Sequence, residues 1–73
     1  MDMPKKLSDG DYIARCRQAT LISATVNGHS QVFPQAHMTV KDGYATFFKD
    51  GKEVWGCNAV YAAAHFDVDV IQR

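Results

Sequence analysis

The chain has 73 residues, of which 47% are hydrophobic and 22% charged, and its eight basic residues balance eight acidic ones. This length predicts a single domain, and the composition excludes an intrinsically disordered chain. The formal net charge of zero disfavours non-specific binding to nucleic acid, because a surplus of Lys and Arg supplies most of that affinity.

The expected compartment follows from the absence of sorting signals. No apolar run follows Lys5 and Lys6 as a secretory signal requires, and no stretch approaches transmembrane length. We therefore expect a cytoplasmic protein that does not enter a membrane. In that compartment the two cysteines, Cys16 and Cys57, are expected to be reduced thiols, and a disulfide between them is the alternative.

The chain is expected to begin with a flexible lead over residues 1–9, followed by one β-rich domain over residues 10–73. Apolar and polar residues alternate over residues 12–26, and β-branched residues accumulate towards the end of this segment. That pattern favours a strand. A helix over residues 9–18 is the competing interpretation, because a capping-box pattern stands at its start.

Turn chemistry then divides the chain into hairpins. Asn27–Gly28 is typical of a two-residue type I′ turn, since both residues accept positive φ. The turn is expected to lead into a short strand at residues 30–33, which Pro34 ends or places at a sheet edge. Another strand follows at residues 37–40, and Asp42–Gly43 makes the next turn.

The most apolar hairpin is predicted over residues 40–57, where two strands flank Lys49-Asp50-Gly51. A type I turn with Gly51 left-handed would pair Phe48 with Lys52 and Phe47 with Glu53. This register gives the ribbon two faces that are both partly apolar. The first, the expected core face, carries Ala45, Phe47, Glu53, Trp55 and Cys57. The second, expected to meet a partner, carries Tyr44, Thr46, Phe48, Lys52 and Val54.

The last third of the chain is predicted to form a short helix and a closing strand. Asn58 is a good N-cap for a helix over residues 59–65, and apolar residues then alternate with Asp67 and Asp69. The expected fold is mainly β, a small α+β domain with roughly four to six strands and one short helix before the last strand. The strands would form an antiparallel meander, as an SH3-like small barrel or as an open sheet with a helix on one face.

Residues that could bind metal or act as nucleophiles are scattered. Cys16, His29, His37, Cys57 and His65 show no close ligand pair, so no metal and no other cofactor is expected. A Cys57–His65 pair beside the predicted helix is the candidate for nucleophilic catalysis. A chain this short offers no obvious concave pocket for a substrate, so an enzyme is not expected.

The preferred functional hypothesis is a non-enzymatic protein-interaction module, an accessory factor or inhibitor of a larger machine, such as phages and mobile elements encode. Exposed aromatic patches rimmed by charge are typical of such surfaces. Trp55 or Phe48 would be the anchor, and an edge strand at residues 30–33 could pair with a partner or with a second copy in a homodimer. The candidate binding residues are Arg15, Arg17, Tyr44, Phe48, Lys52 and Trp55.

The alternative hypothesis is a small β-barrel that binds single-stranded nucleic acid. Such proteins stack bases on aromatic side chains that have basic residues beside them. The aromatic residues are present, and Arg15, Arg17, Lys49 and Lys52 supply a local basic patch. The zero net charge and the absence of a known RNA-binding motif place this hypothesis second.

Overall fold

Five antiparallel strands form one open sheet in the computed structural model, which describes residues 7–71. The elements are β1 (Gly10–Cys16), α1 (Leu21–Val26), β2 (Gln35–Lys41), β3 (Tyr44–Lys49), β4 (Lys52–Asn58), α2 (Ala59–His65) and β5 (Phe66–Val70). The strands lie in the order β4-β3-β2-β1-β5, so β4 and β5 are the two edges. The expected mainly β fold with one helix before the last strand is confirmed, and the sheet is open rather than closed into a barrel.

The strand β1 confirms part of the strand predicted over residues 12–26 and excludes a helix over residues 9–18. It ends at Cys16, and the remainder of that prediction is wrong because α1 follows. The Thr20 side chain accepts a hydrogen bond from the Ser23 N–H at 3.1 Å and so caps the N-terminus of α1. Residues 1–6, most of the predicted lead, lie outside the described residues.

Asn27–Gly28 ends α1 instead of forming a hairpin turn. Gly28 has a φ of 78°, and its N–H donates to the Thr25 carbonyl at 3.0 Å. The N–H of His29 donates to the Ala24 carbonyl at 2.7 Å. These two bonds make a Schellman motif, in which a left-handed glycine closes a helix.

The strand predicted at residues 30–33 is also wrong, because these residues form a turn and an irregular segment. The N–H groups of Val32 and Phe33 both donate to the His29 carbonyl, at 3.0 and 3.1 Å. The Val32 side chain is fully buried. Backbone groups that an edge strand would offer to a partner are therefore used inside the turn, and this segment does not provide an edge for strand pairing.

Both hairpins of the sheet have two-residue type I′ turns. Asp42 and Gly43 have φ values of 51° and 79°, and Asp50 and Gly51 have values of 52° and 77°. The turn at Asp42–Gly43 is confirmed. The type I turn expected at residues 49–51 is wrong, because Asp50 joins Gly51 in the left-handed conformation. Asp tolerates this conformation, and primed turns match the twist of the flanking strands.

The register of the β3–β4 hairpin differs from the predicted one because β4 contains an extra residue. The observed pairs are Lys49–Lys52, Phe48–Glu53, Phe47–Trp55, Thr46–Gly56 and Ala45–Cys57. The extra residue, Val54, is a β-bulge and packs against the core. The predicted Phe48–Lys52 and Phe47–Glu53 pairs are therefore wrong, and Glu53 lies on the same face as Phe48.

The hydrophobic core lies on one side of the sheet, which we call the core face. Its fully or almost fully buried strand residues are Tyr12, Ala14, Ala36, Met38, Val40, Ala45, Phe47 and Phe66. The small side chains of Ala59 and Ala62 bring α2 close to this face, and Val32 of the turn after α1 packs against it as well. The first predicted hairpin face is thus confirmed as the core face, except for Glu53, which the bulge moves to the other side.

Candidate binding face

The opposite side of the sheet, which we call the open face, carries a row of side chains across all five strands. Among the described residues, the segments that follow β1 and β4 pack on the core face and not on this side. Strand pairing aligns the row in the order Asp69, Ile13, His37, Phe48 and Glu53. The centre of the row is apolar and aromatic, and both ends are carboxylates. An apolar centre with a charged rim is typical of protein-binding surfaces.

His37 is held at the centre of the open face by its neighbours. Its ring meets the Phe48 ring in a T-shaped arrangement with centroids 6.3 Å apart. Its Nε2 atom lies 3.4 Å from Oδ1 of Asp11, and the Thr39 hydroxyl donates to the same oxygen at 3.1 Å. Cross-strand pairs of this kind restrict side-chain rotamers, so less conformational entropy is lost when a partner binds.

Tyr44 extends the aromatic part of the open face towards the edge strand β4. A Cβ atom at Gly56 would lie 2.6 Å from the Tyr44 hydroxyl oxygen, so the ring crosses the glycine backbone at close range. Gly56 is the residue that allows this approach, since any side chain there would displace the ring. Tyr44 remains 54% exposed and is accessible to a partner.

Arg15 and Arg17 are both engaged in ion pairs at the β1–β5 side of the open face. Arg15 pairs with Asp69. The Arg17 Nε donates to Asp67 at 3.1 Å, and its guanidinium also donates to the Ala64 carbonyl at 2.8 Å. Exposed pairs contribute little to stability. Their effect here is to balance the charge along this rim.

The structure brings together part of the predicted binding set. Phe48, Tyr44 and Arg15 lie on the open face. Trp55 lies on the core face with its ring centroid 5.2 Å from that of Phe47, so Phe48 is the one of the two proposed anchors that faces outwards. The remaining two residues lie at the periphery: Lys52 is at the hairpin turn opposite Lys49, and Arg17 follows the end of β1.

The sequence interpretation missed a second exposed apolar patch, on α1. Leu21, Ile22 and Val26 are 55%, 78% and 81% exposed, respectively. The sequence carries a capping signal for each end of this helix. Thr20 is a good N-cap, and Asn27–Gly28 is a good C-cap. In addition, no Asp, Glu, Lys or Arg occurs over residues 18–40, and depletion of charge is typical of interface cores.

The two thiols are free and lie on strands separated by two others. With adjacent strands about 4.8 Å apart, Cys16 and Cys57 are roughly 14 Å from each other across the sheet, too far for a disulfide. Burial raises the pKa of the Cys57 thiol to about 11 and also raises that of Cys16. The pKa of Cys57 is thus shifted away from, not towards, the range of a catalytic nucleophile.

A Cys16→Ser variant, which leaves Cys57 as the only thiol, is expected to react slowly with a disulfide reagent such as DTNB at pH 8. With a pKa of about 11 the thiolate population is roughly two orders of magnitude below that of an ordinary thiol with a pKa of about 8.5. The rate in urea should rise by about that factor. Equal rates for folded and unfolded protein would contradict the partial burial of Cys57.

Neither a metal site nor a membrane-spanning helix occurs in the part of the chain that the structure describes. Within residues 7–71 no three His, Cys, Asp or Glu side chains are grouped so that they could hold a metal ion. No helix in the same range is long and apolar enough to cross a bilayer. Comparison with protein-family models, with curated proteins and with solved structures found no match.

Proposed function

We propose that this chain is a non-enzymatic protein-interaction module that binds its partner through the open face and acts as an accessory factor or inhibitor of a larger assembly. The observation that carries the proposal is the one-sided sheet. The core face is filled by α2 and the turn after α1, and within residues 7–71 the row around Phe48 and His37 lies on the side of the sheet opposite to these segments. Phe48 and His37 are half-buried and Tyr44 is exposed, and accessible apolar patches with a polar rim are typical of interaction sites.

The charges around the open face favour a protein partner over single-stranded nucleic acid. Arg15 and Arg17 are paired with Asp69 and Asp67, and the Lys49 ammonium donates to the Phe33 carbonyl. Phosphate binding would have to break these contacts. A neutral protein surface with apolar side chains and hydrogen-bonding groups can instead pack on the row without doing so.

Selection of peptides from a random display library on the immobilised protein tests this proposal directly. We expect the selected peptides to bind the Phe48→Ala variant at least roughly tenfold more weakly, since central aromatic residues dominate interface energies. The matched control is Ile22→Ser on α1, which removes an exposed side chain of the second apolar patch and should leave affinity within about twofold.

Two results would contradict the proposal. Peptides that bind Phe48→Ala as tightly as the parent, or that are lost with Ile22→Ser, would move the interface away from the open face. Tight binding of a fluorescent single-stranded oligonucleotide, lost steeply with added salt and weakened by Phe48→Ala, would favour the nucleic-acid alternative.

A further inference from the structure

His29 is a buried polar side chain on the core side of the sheet, only 2% exposed. Its Nε2 atom lies 2.8 Å from the Tyr61 hydroxyl, and its Nδ1 atom lies 3.4 Å from Oε1 of Gln18. The Gln18 oxygen can only accept, so Nδ1 carries the proton and Nε2 accepts from Tyr61. Both partners are therefore satisfied by the neutral ring.

The surroundings of the His29 ring are aromatic rather than acidic. The Phe66 ring centroid lies 4.7 Å away, and those of Trp55 and Tyr61 lie at 5.7 and 5.9 Å. A second titratable ring, His65, lies at 6.0 Å and stacks on Tyr61. Among residues 7–71 no carboxylate forms an ion pair with His29, whereas His37 on the open face has one.

Other titratable groups reach His29 from β1 and β3. Cys16 of β1 lies with its Sγ 3.8 Å from the His29 carbonyl oxygen. Lys49 of β3 donates to the carbonyl of Phe33 in the same turn. Neither group is an anion at neutral pH. Burial raises the pKa of the Cys16 thiol, and Lys49 is a basic side chain. Neither therefore offers a charge that would compensate a protonated His29 ring.

The backbone of His29 joins the two halves of the connection between β1 and β2. Its N–H closes the C-terminus of α1 through the Ala24 carbonyl, and its carbonyl accepts from Val32 and Phe33. The buried residue of α1 is Ala24. The large apolar side chains of this helix, Leu21, Ile22 and Val26, are exposed and do not contribute to the core. Among the buried side chains of residues 17–34, which are Ala24, His29 and Val32, His29 is the one that can be protonated, so the placement of this segment depends on the charge of its ring.

We propose that residues 17–34 form a pH-sensitive flap that is closed on the core face while His29 is neutral and is released when its ring is protonated. An imidazolium carries a proton on both nitrogens, so the hydrogen bond must reverse: Nε2 then donates to the Tyr61 oxygen, and the Tyr61 proton loses Nε2 as its acceptor. The charged ring would also be enclosed by Phe66 and Trp55, with no ion-pair partner among residues 7–71. Release of the flap returns the ring to water.

The sign of the pH dependence follows from linkage between protonation and opening. Burial, and secondarily the nearby His65, lower the pKa of His29 in the closed state below its ordinary value of 6.5. The open state binds the proton more readily, so the opening equilibrium increases as the pH falls below about 6.5, by up to roughly tenfold per unit. The increase stops below the closed-state pKa of His29.

Amide hydrogen exchange followed by NMR between pH 7 and pH 5 tests the flap on the intact chain. The N–H groups of His29, Val32 and Phe33 are the probes: their hydrogen bonds lie within the flap, and a helix of 6 residues released from the sheet does not stay folded in water, so release exposes all three to exchange. After correction for intrinsic rates, we expect their opening to increase up to about tenfold per pH unit, while β2–β3 amides such as that of Phe47 keep their protection. The His29 ring should titrate below about pH 6.5 over the same range.

Three variants separate titration from a merely structural role. His29→Gln should abolish the pH dependence, and His37→Gln, its matched control on the open face, should keep it. Tyr61→Phe removes the hydrogen bond to Nε2 but leaves the ring, so opening should increase at every pH with the slope retained. Three results would each show that the flap proposal is wrong. They are faster exchange of β3 amides together with the probes, a pH dependence of opening that persists in His29→Gln, and titration of the wild-type His29 ring at or above about pH 6.5. The last measurement decides the matter even where His29→Gln does not fold.

Discussion

Truncation of Phe47 to alanine is expected to destabilise the fold by about 3–5 kcal/mol, the range for a fully buried phenylalanine. Phe47 is completely buried on the central part of the core face. Its ring lies 5.2 Å from Trp55 and 5.3 Å from Phe66, so it joins β3 to β4 and to β5 at the far edge. Loss of this ring leaves a cavity that the sheet backbone cannot close.

The size of the effect is decisive because the chain is short. For 73 residues a total stability of roughly 4–11 kcal/mol is expected. Phe47→Ala should therefore lower the urea midpoint drastically or unfold the protein at room temperature. Urea titration followed by far-UV circular dichroism and by Trp55 emission measures this change.

Phe48→Ala is the matched control, because it makes the same substitution one residue further along the strand. Phe48 lies on the open face, and its truncation should lower stability by only about 1 kcal/mol. Equal losses in the two variants would show that both faces of the hairpin are buried, which would contradict the open face. The same control establishes that Phe48→Ala is folded when it is used in binding experiments.

Local chemistry predicted the elements whose boundaries depend on adjacent residues. The Asp42–Gly43 turn needs only a residue pair that accepts positive φ. The helix over residues 59–65 begins where Asn58 accepts a hydrogen bond from the Val60 N–H at 2.7 Å. In both cases the deciding interaction spans adjacent or nearly adjacent residues, so sequence inspection finds it.

The segment after β1 could not be predicted in this way, because its signals fit two structures. Gly28 must have positive φ in a type I′ turn and in a helix C-cap alike. The alternation over residues 12–26 favoured a strand, whereas Thr20 offered a helix N-cap. Tertiary burial of Ala24 and His29 favours the helix, and the positions of these partners are unknown before the sheet is built.

The faces of the hairpin that carries the candidate site were predicted correctly at its centre and not at its rim. Phe48 and Tyr44 were assigned to the exposed side correctly, because alternation along β3 is regular. Lys52 was expected beside Phe48, but Glu53 takes that place. A bulge at Val54 causes the difference, and the bulge is stabilised by packing of Val54 against the core, which the sequence of the hairpin does not reveal.

The flap and the open face lie on opposite sides of the sheet, so their tests are independent. His29→Gln changes the core side and should leave peptide binding through Phe48 unchanged at neutral pH. Phe48→Ala should in turn leave the exchange of the Val32 amide unchanged. A single surface that served both functions would couple these two measurements.

Introduction of a lysine at Ala45 is expected to unfold the protein, whereas a lysine at the next residue, Thr46, should be tolerated. Ala45 is completely buried between β2 and β4 on the core face. An ammonium there has no counter-ion and no room, and an uncompensated buried charge costs several kcal/mol. This loss is comparable with the whole stability expected for a chain of this size.

The Thr46→Lys variant makes the comparison sharp, because it adds the same charge to the same strand. Thr46 pairs with Thr39 and Gly56 on the open face, where a lysine stem can lie along the sheet with its ammonium in water. We expect Thr46→Lys to unfold cooperatively in urea, with a free energy of unfolding within about 1 kcal/mol of that of the parent. It should no longer bind the peptides that contact Phe48. If Ala45→Lys folds and Thr46→Lys does not, the two faces are exchanged, and the proposed binding surface would be the core.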